Sequence, residues 1–161
     1  MNIQILTIEN LDLLVEFEQE ARRSEPDIFA KDFDPLKFRA GTEEALKNPL
    51  FASARCLICV GNEGKIIGRI DFSTIPSLSF GGNLRAYIDW IYVLKNFRHH
   101  GAAQFLLAHA EAYIKGMGIE EYFLLMAENE EAQSFYRNVA GAEISSFDVL
   151  RKTLLPHGNP I

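Results

Sequence analysis

The segment from Arg85 to Ala127 constrains this chain more than any other part of it. Residues 85–93 read as a strand, and a polar loop from Lys95 to His100 follows. A helix is predicted from about Gly101 to Lys115, with Ala103, Leu106, Leu107, Ala110, Tyr113 and Ile114 on its apolar face. Gly116-Met117-Gly118 stops it, because glycine readily supplies the left-handed residue after a helix. Tyr122 to Ala127 is then an unbroken apolar run, the pattern of a parallel strand buried on both faces. Together these pieces predict one parallel strand–helix–strand unit over 85–127, with a right-handed crossover.

The rest of the chain reads as antiparallel strands and flanking helices. Residues 55–60 and 65–74 are apolar runs joined by Gly61-Asn62-Glu63-Gly64, a β-hairpin signal. Pro76 to Asn83 reads as a turn, which makes the strand at 85–93 antiparallel to 65–74. Residues 2–8 read as a strand, and 10–23 carry Leu11, Leu14, Val15 and Ala21 at helical spacing. Asp34-Pro35 starts a second helical stretch, and Thr42 is expected to cap a further piece, Glu43 to Lys47, closed by Pro49. Asn129 is expected to cap a last helix through about Val139, with Glu130 and Glu131 complementing its dipole. A final strand or short hairpin is expected over 143–154, with a loose tail from Pro156. The fold class is mixed α/β (α+β): a mostly antiparallel central sheet flanked by helices, in one domain over 1–161.

Charge and cysteine usage exclude several functions. Lys plus Arg is 16 and Asp plus Glu is 22, a net charge of −6, which argues against a nucleic-acid partner. Cys56 and Cys59 are the two cysteines, and residues three apart on a strand point to opposite faces, so no metal site is expected from them. Two buried thiols in a reducing compartment is the expectation. No run approaches the ~20 apolar residues of a membrane helix, and no signal peptide opens the chain, so the expected location is cytoplasmic.

The junction between strand 85–93 and helix 101–115 carries the chemistry. Strand, short loop and helix N-terminus is a phosphate-binding geometry, since the first N–H groups of a helix lack acceptors and carry partial positive charge. The loop ends Arg98-His99-His100-Gly101-Ala102-Ala103. Gly101 and Ala103 leave room for a ligand near the backbone, and Arg98 adds a permanent cation. The competing reading is a plain helix start with small residues for packing.

In these residues the chain resembles the GNAT family of N-acetyltransferases. Arg98-x-x-Gly101-x-Ala103 matches the family's acetyl-CoA pyrophosphate loop, written Q/R-x-x-G-x-G/A. Asn129-Glu130-Glu131-Ala132-Gln133-Ser134-Phe135-Tyr136 matches a second motif, where Asn and Tyr stand seven apart. Two departures stand out: the family's Tyr-x-x-x-Gly-Phe is replaced by a later Gly141 with no aromatic after it, and the C-terminal stretch is short.

The resemblance implies acetyl transfer from acetyl-CoA to an amine by direct attack, with no metal. It implies that the pyrophosphate sits on the amides of His99, His100, Gly101, Ala102 and Ala103. It implies that the pantetheine arm lies between the strands at 85–93 and 122–127, along backbone groups near Ile91 and Val93. Asn129 would touch CoA as well as cap its helix. Tyr136 would protonate the departing thiolate; its rival role is core packing, because Ala132, Phe135, Tyr136 and Val139 share an apolar face. A primary amine is mostly charged near neutral pH, so a carboxylate must take its proton or anchor it. Strand alternation puts Asp89 on one face with Tyr87, Ile91 and Val93, making it the first candidate, with Asp71 second. For Asp71 the competing reading is pairing with Arg69, and for Asp89 a structural hydrogen-bond network. Phe29, Phe33, Phe38, Phe51 and Phe80 would form either an apolar acceptor wall or core. The expected acceptor is a small cationic amine. A protein N-terminus or lysine is an alternative acceptor, and a non-catalytic acyl-CoA-binding module an alternative function. A homodimer is compatible with the resemblance.

Overall fold

The computed structural model describes residues 1–29, 32–146, 148, 150 and 152. The chain forms two compact units, Met1–Leu125 and Met126–Ile161. The first holds strands β1 (Asn2–Ile5), β2 (Ala54–Val60), β3 (Ile66–Ser77), β4 (Asn83–Val93) and β5 (Tyr122–Leu124). Its helices are α1 (Leu11–Ser24), α2 (Pro35–Lys47) and α3 (Ala102–Gly116). The second holds α4 (Glu130–Arg137).

The five strands lie in the order β1-β2-β3-β4-β5. All neighbours are antiparallel except β4 and β5, which run parallel. The mixed, mostly antiparallel sheet and its parallel strand–helix–strand unit are therefore as expected. One face of the sheet packs on α1: Leu11, Leu14, Phe17 and Ala21 join Ile58 and Tyr92 in a buried cluster. The other face packs on α3, where Phe72 meets Tyr113 edge-on at 5.7 Å and Leu106 is fully buried. Cys56 faces Asp71 and Cys59 faces Gly68, so the two thiols lie on opposite faces of β2.

Three local expectations change. Residues 35–47 form one helix, capped by Asp34, whose carboxylate accepts from the Leu36 and Lys37 amides. Thr42 sits inside it and donates back to the Phe38 carbonyl at 2.8 Å, a bond that lets threonine stay helical instead of capping. The strand at 122–127 shortens to Tyr122–Leu124 and is an edge strand; Phe123 is 47 % exposed rather than buried on both faces. No strand forms over the described residues of 143–154, and the tail from Pro156 lies outside the described residues. In the second unit Asn129 caps α4 as expected, accepting from the Ala132 amide at 2.8 Å.

Candidate functional site

Two features of the first unit converge on the end of β4. The first is a fork. β4 pairs with β5 only at Ala86–Tyr122, Tyr87–Phe123 and Ile88–Leu124. Beyond Ile88 no strand pairs with that edge of β4 among the described residues. The fork begins at a β-bulge: on β3, Asp71 faces Trp90 and Phe72 faces Ile88, so Asp89 is an extra residue without a partner.

The bulge overturns the expected side-chain alternation. Upstream of it Tyr87 faces Ser73; downstream Trp90 faces Asp71 and Tyr92 faces Arg69. Tyr87, Trp90 and Tyr92 therefore share one face of the sheet. Ile88, Ile91 and Val93, opposite Phe72, Ile70 and Gly68, share the other. Tyr87 and the pair Ile91 and Val93 are thus separated, because the inserted residue inverts the parity of the strand. Asp89 itself is exposed. Its charge reaches both neighbours: Tyr87 titrates above the usual phenol range through burial and then Asp89. Burial is also the main cause that raises Asp71, with Arg69 and the Cys56 thiol opposing it and Asp89 adding to it.

Asp71 belongs to a charged network under α1. Arg69 Nη1 lies 2.6 Å from Glu18 Oε1, and Arg69 Nε lies 2.8 Å from Asp71 Oδ2, close but not aligned as a hydrogen bond. Arg22 pairs with Glu18 and lies over Phe33 at 4.0 Å and Phe29 at 4.9 Å. Glu18 is buried, and removing one member of such a pair costs about 3–5 kcal/mol. Phe29 is packed on Trp90 and Tyr92, and Phe33 on Phe38. Phe51 is exposed, and the Phe80 side chain lies outside the described residues.

The second feature is the loop that joins β4 to α3. Lys95–Phe97 forms a 3-10 turn, Arg98 is extended, and His99 and Gly101 take left-handed φ values of 61° and 80°. The first intrahelical bond of α3 runs from the Phe105 amide to the Gly101 carbonyl at 2.9 Å. The amides of Ala102, Ala103 and Gln104 precede it, with no side-chain cap. They end a helix of 15 residues whose dipole adds partial positive charge there. A Cβ built on Gly101 meets nothing within 4 Å, so the space beside these amides is open. His99 and His100 are exposed, and His100 Nδ1 lies 2.6 Å from the Arg98 carbonyl oxygen.

Arg98 does not simply face outward. Its Nη1 donates to Glu25 Oε1 at 3.1 Å, its Nη2 pairs with Glu25 Oε2, and its Nε donates to the Val93 carbonyl at 3.1 Å. Tyr92 also donates to Glu25, at 2.6 Å. Glu25 and Tyr92 escape a reading of the sequence, since Glu25 lies 73 residues from Arg98 and no local pattern marks it. Burial pushes the Glu25 carboxyl up, but the bonds from Tyr92 and Arg98 and the charges of Arg98 and Lys95 hold it below the usual carboxylate range.

In the second unit Tyr136 is half-buried on α4 beside Phe135, with ring centroids 5.2 Å apart. Ala132, Phe135, Tyr136 and Val139 are all half-buried, so the apolar face expected of this segment is present. Among the described residues no cluster of His, Cys, Asp and Glu has the makings of a metal site. Among them no helix is long and apolar enough to cross a membrane.

Known proteins share this architecture. A ribosomal-protein-alanine N-acetyltransferase from Brucella melitensis biovar Abortus 2308 superposes with a TM-score of 0.71 at 18% identity, over 94% of this chain and 100% of that one. A probable acetyltransferase gives 0.77 at 21% identity, over 96% and 99%. An aminoglycoside acetyltransferase from an uncultured soil metagenomic sample, in complex with sisomicin, gives 0.75 at 16% identity, over 96% of each chain. No curated protein sequence matches the chain. The model of the acetyltransferase (GNAT) family matches residues 14–142, which take in the fork, the left-handed loop and the helix capped by Asn129. The chain belongs to the GNAT acetyltransferase family.

Proposed function

We propose that this chain is an acetyl-CoA-dependent N-acetyltransferase acting on a primary amine of a small cationic metabolite. One observation carries the reading: beyond Ile88 the β5-side edge of β4, without a strand partner among the described residues, runs straight into a loop whose following α3 amides take no side-chain cap among those residues. An extended arm fits along such a strand edge, and a pyrophosphate fits on such amides. The open space beside Gly101 is compatible with that fit. When bound, acetyl-CoA supplies the activated acetyl thioester.

The chain's own residues then divide the work. The amides of His99, His100, Gly101, Ala102 and Ala103 hold phosphate, backbone groups at Ile91 and Val93 hold the arm, and Asn129 adds a polar contact. Asp89 is exposed at the bulge, where its carboxylate accepts the proton of the incoming ammonium or anchors its charge. Tyr136 holds a proton at Oη for the leaving sulfur, as a general acid. Both compact units belong to one catalytic domain in this reading, and the family match running from 14 to 142 across both supports it. A cytoplasmic setting belongs to the same reading.

The net charge of −6 and the exposed carboxylate of Asp89 favour a cationic acceptor, whereas Asp71 is taken up by Arg69. The aminoglycoside-acetyltransferase neighbour accords with that class. The ribosomal-protein-alanine neighbour favours a second reading, a protein N-terminal amine. The deciding experiment measures CoA release from acetyl-CoA with polyamines, aminoglycosides, amino acids and alanine-starting peptides. Turnover of small cationic amines is expected, and Tyr136→Phe should lower kcat by about 10²–10⁴-fold with little change in acetyl-CoA affinity. Turnover of peptides alone would move the assignment to a protein modifier. Binding of acetyl-CoA without turnover of any acceptor would leave a non-catalytic acyl-CoA-binding module.

A further inference from the structure

We propose that Glu25 is a positioning residue for the phosphate-binding loop: by gripping Arg98 and Tyr92 it fixes the backbone of residues 98–101 so that the α3 amides face the ligand. The inference rests on the reading that this loop takes the pyrophosphate of acetyl-CoA.

Glu25 stands at the C-terminal end of α1, as its C-cap. Its side chain is 12% exposed and that of Arg98 is 18% exposed, so the pair is shielded from water. Arg98 is held by both oxygens of Glu25, by the Val93 carbonyl, and by the Tyr92 ring 5.4 Å from its Cζ. Tyr92 donates to the same carboxylate. Charge-assisted bonds of this kind are about twice as strong as neutral ones, and the fork of Arg98 adds directional control.

The next residue shows what that control is for. His99 carries φ of 61°, a conformation that costs a non-glycine residue free energy and persists only where its surroundings impose it. Arg98, tied to α1 on one side and to the end of β4 on the other, supplies that constraint. The pairing also settles the charge: Glu25 neutralises Arg98, so the loop's attraction for phosphate comes from amides and helix dipole rather than from a free guanidinium.

The test compares wild type with Glu25→Gln, Arg98→Gln, the double variant and Tyr92→Phe, using calorimetry with CoA and steady-state kinetics with acetyl-CoA. For Glu25→Gln, Kd for CoA and KM for acetyl-CoA should rise about tenfold or more, while kcat at saturation moves less than about twofold. The double variant should bind no worse than the weaker single one, because both break the same tie. Should Glu25→Gln not fold, Tyr92→Phe carries the comparison, with a rise of about two- to fivefold. Unchanged or tighter CoA binding by the folded variants overturns the proposal, as do strictly additive losses or a fall in kcat at unchanged KM. Wild-type protein that fails to bind CoA overturns the acetyl-CoA reading itself, and the proposal with it.

Discussion

Gly101 holds φ at 80° with open space where a Cβ would stand. Any other L-residue there takes on about 1–2 kcal/mol of strain. Gly101→Glu adds a negative charge beside the amides of α3, so CoA binding should vanish in calorimetry while circular dichroism reports an intact fold. Asp89→Asn keeps the shape of the bulge and removes its charge. We expect it to raise KM for a cationic acceptor and to flatten the alkaline limb of kcat/KM, leaving CoA affinity alone. An unchanged KM and pH profile would make Asp89 structural. Both residues were legible in the sequence, Gly101 from its place after a strand and before a helix, Asp89 only as a carboxylate on a strand. The face on which Asp89 lies was not legible, because an inserted residue leaves no mark in a run such as Tyr87-Ile88-Asp89-Trp90-Ile91. Arg98 was legible as a cation but not as half of an ion pair, since its partner is set by tertiary packing.

At the scale of elements, β3, β4 and α3 meet closely at Gly68. A Cβ there would lie 3.0 Å from Val93 Cγ2, 3.1 Å from Leu106 Cδ1 and 3.1 Å from the Tyr92 carbonyl oxygen. Gly68→Ala should therefore destabilise the fold by about 1–3 kcal/mol, read as a lower urea midpoint at unchanged slope. The hairpin of β2 and β3 was readable because its turn is marked by Gly61 and Gly64 and its strands are long enough to show alternation. The sequence divides α2 into two pieces because Thr42 is a good cap by type; its hydroxyl finds the Phe38 carbonyl instead, and the helix continues. The sequence makes β5 too long because Leu125 and Met126 are as apolar as Leu124. Apolar character alone does not say where two strands part, and here they part after three pairs.

For the molecule as a whole, pH links these details to stability. Burial pushes the pKa of Cys56, Cys59, Tyr87 and Tyr92 above their ordinary values, with Glu25 adding to the effect at Tyr92. The unfolded chain releases these protons first, at about pH 8.5 for thiols and about 10 for phenols. The stability these four groups contribute is thus full below about pH 8.5 and falls as pH rises toward the folded-state values. The urea midpoint should drop steadily above pH 9, and Tyr92→Phe should flatten the portion above about pH 10; a midpoint constant to pH 11 would contradict this. The fork between β4 and β5 has a further consequence, for solubility. A strand edge with unpaired amides and carbonyls is a template for another copy of the same chain. Natural proteins blunt such edges with bulges and charges, and β4 carries both at one residue, the exposed carboxylate of Asp89 on the bulge. The same irregularity that stands where β4 parts from β5 thus guards the edge against a second copy, and a neutral residue at that position would weaken the guard.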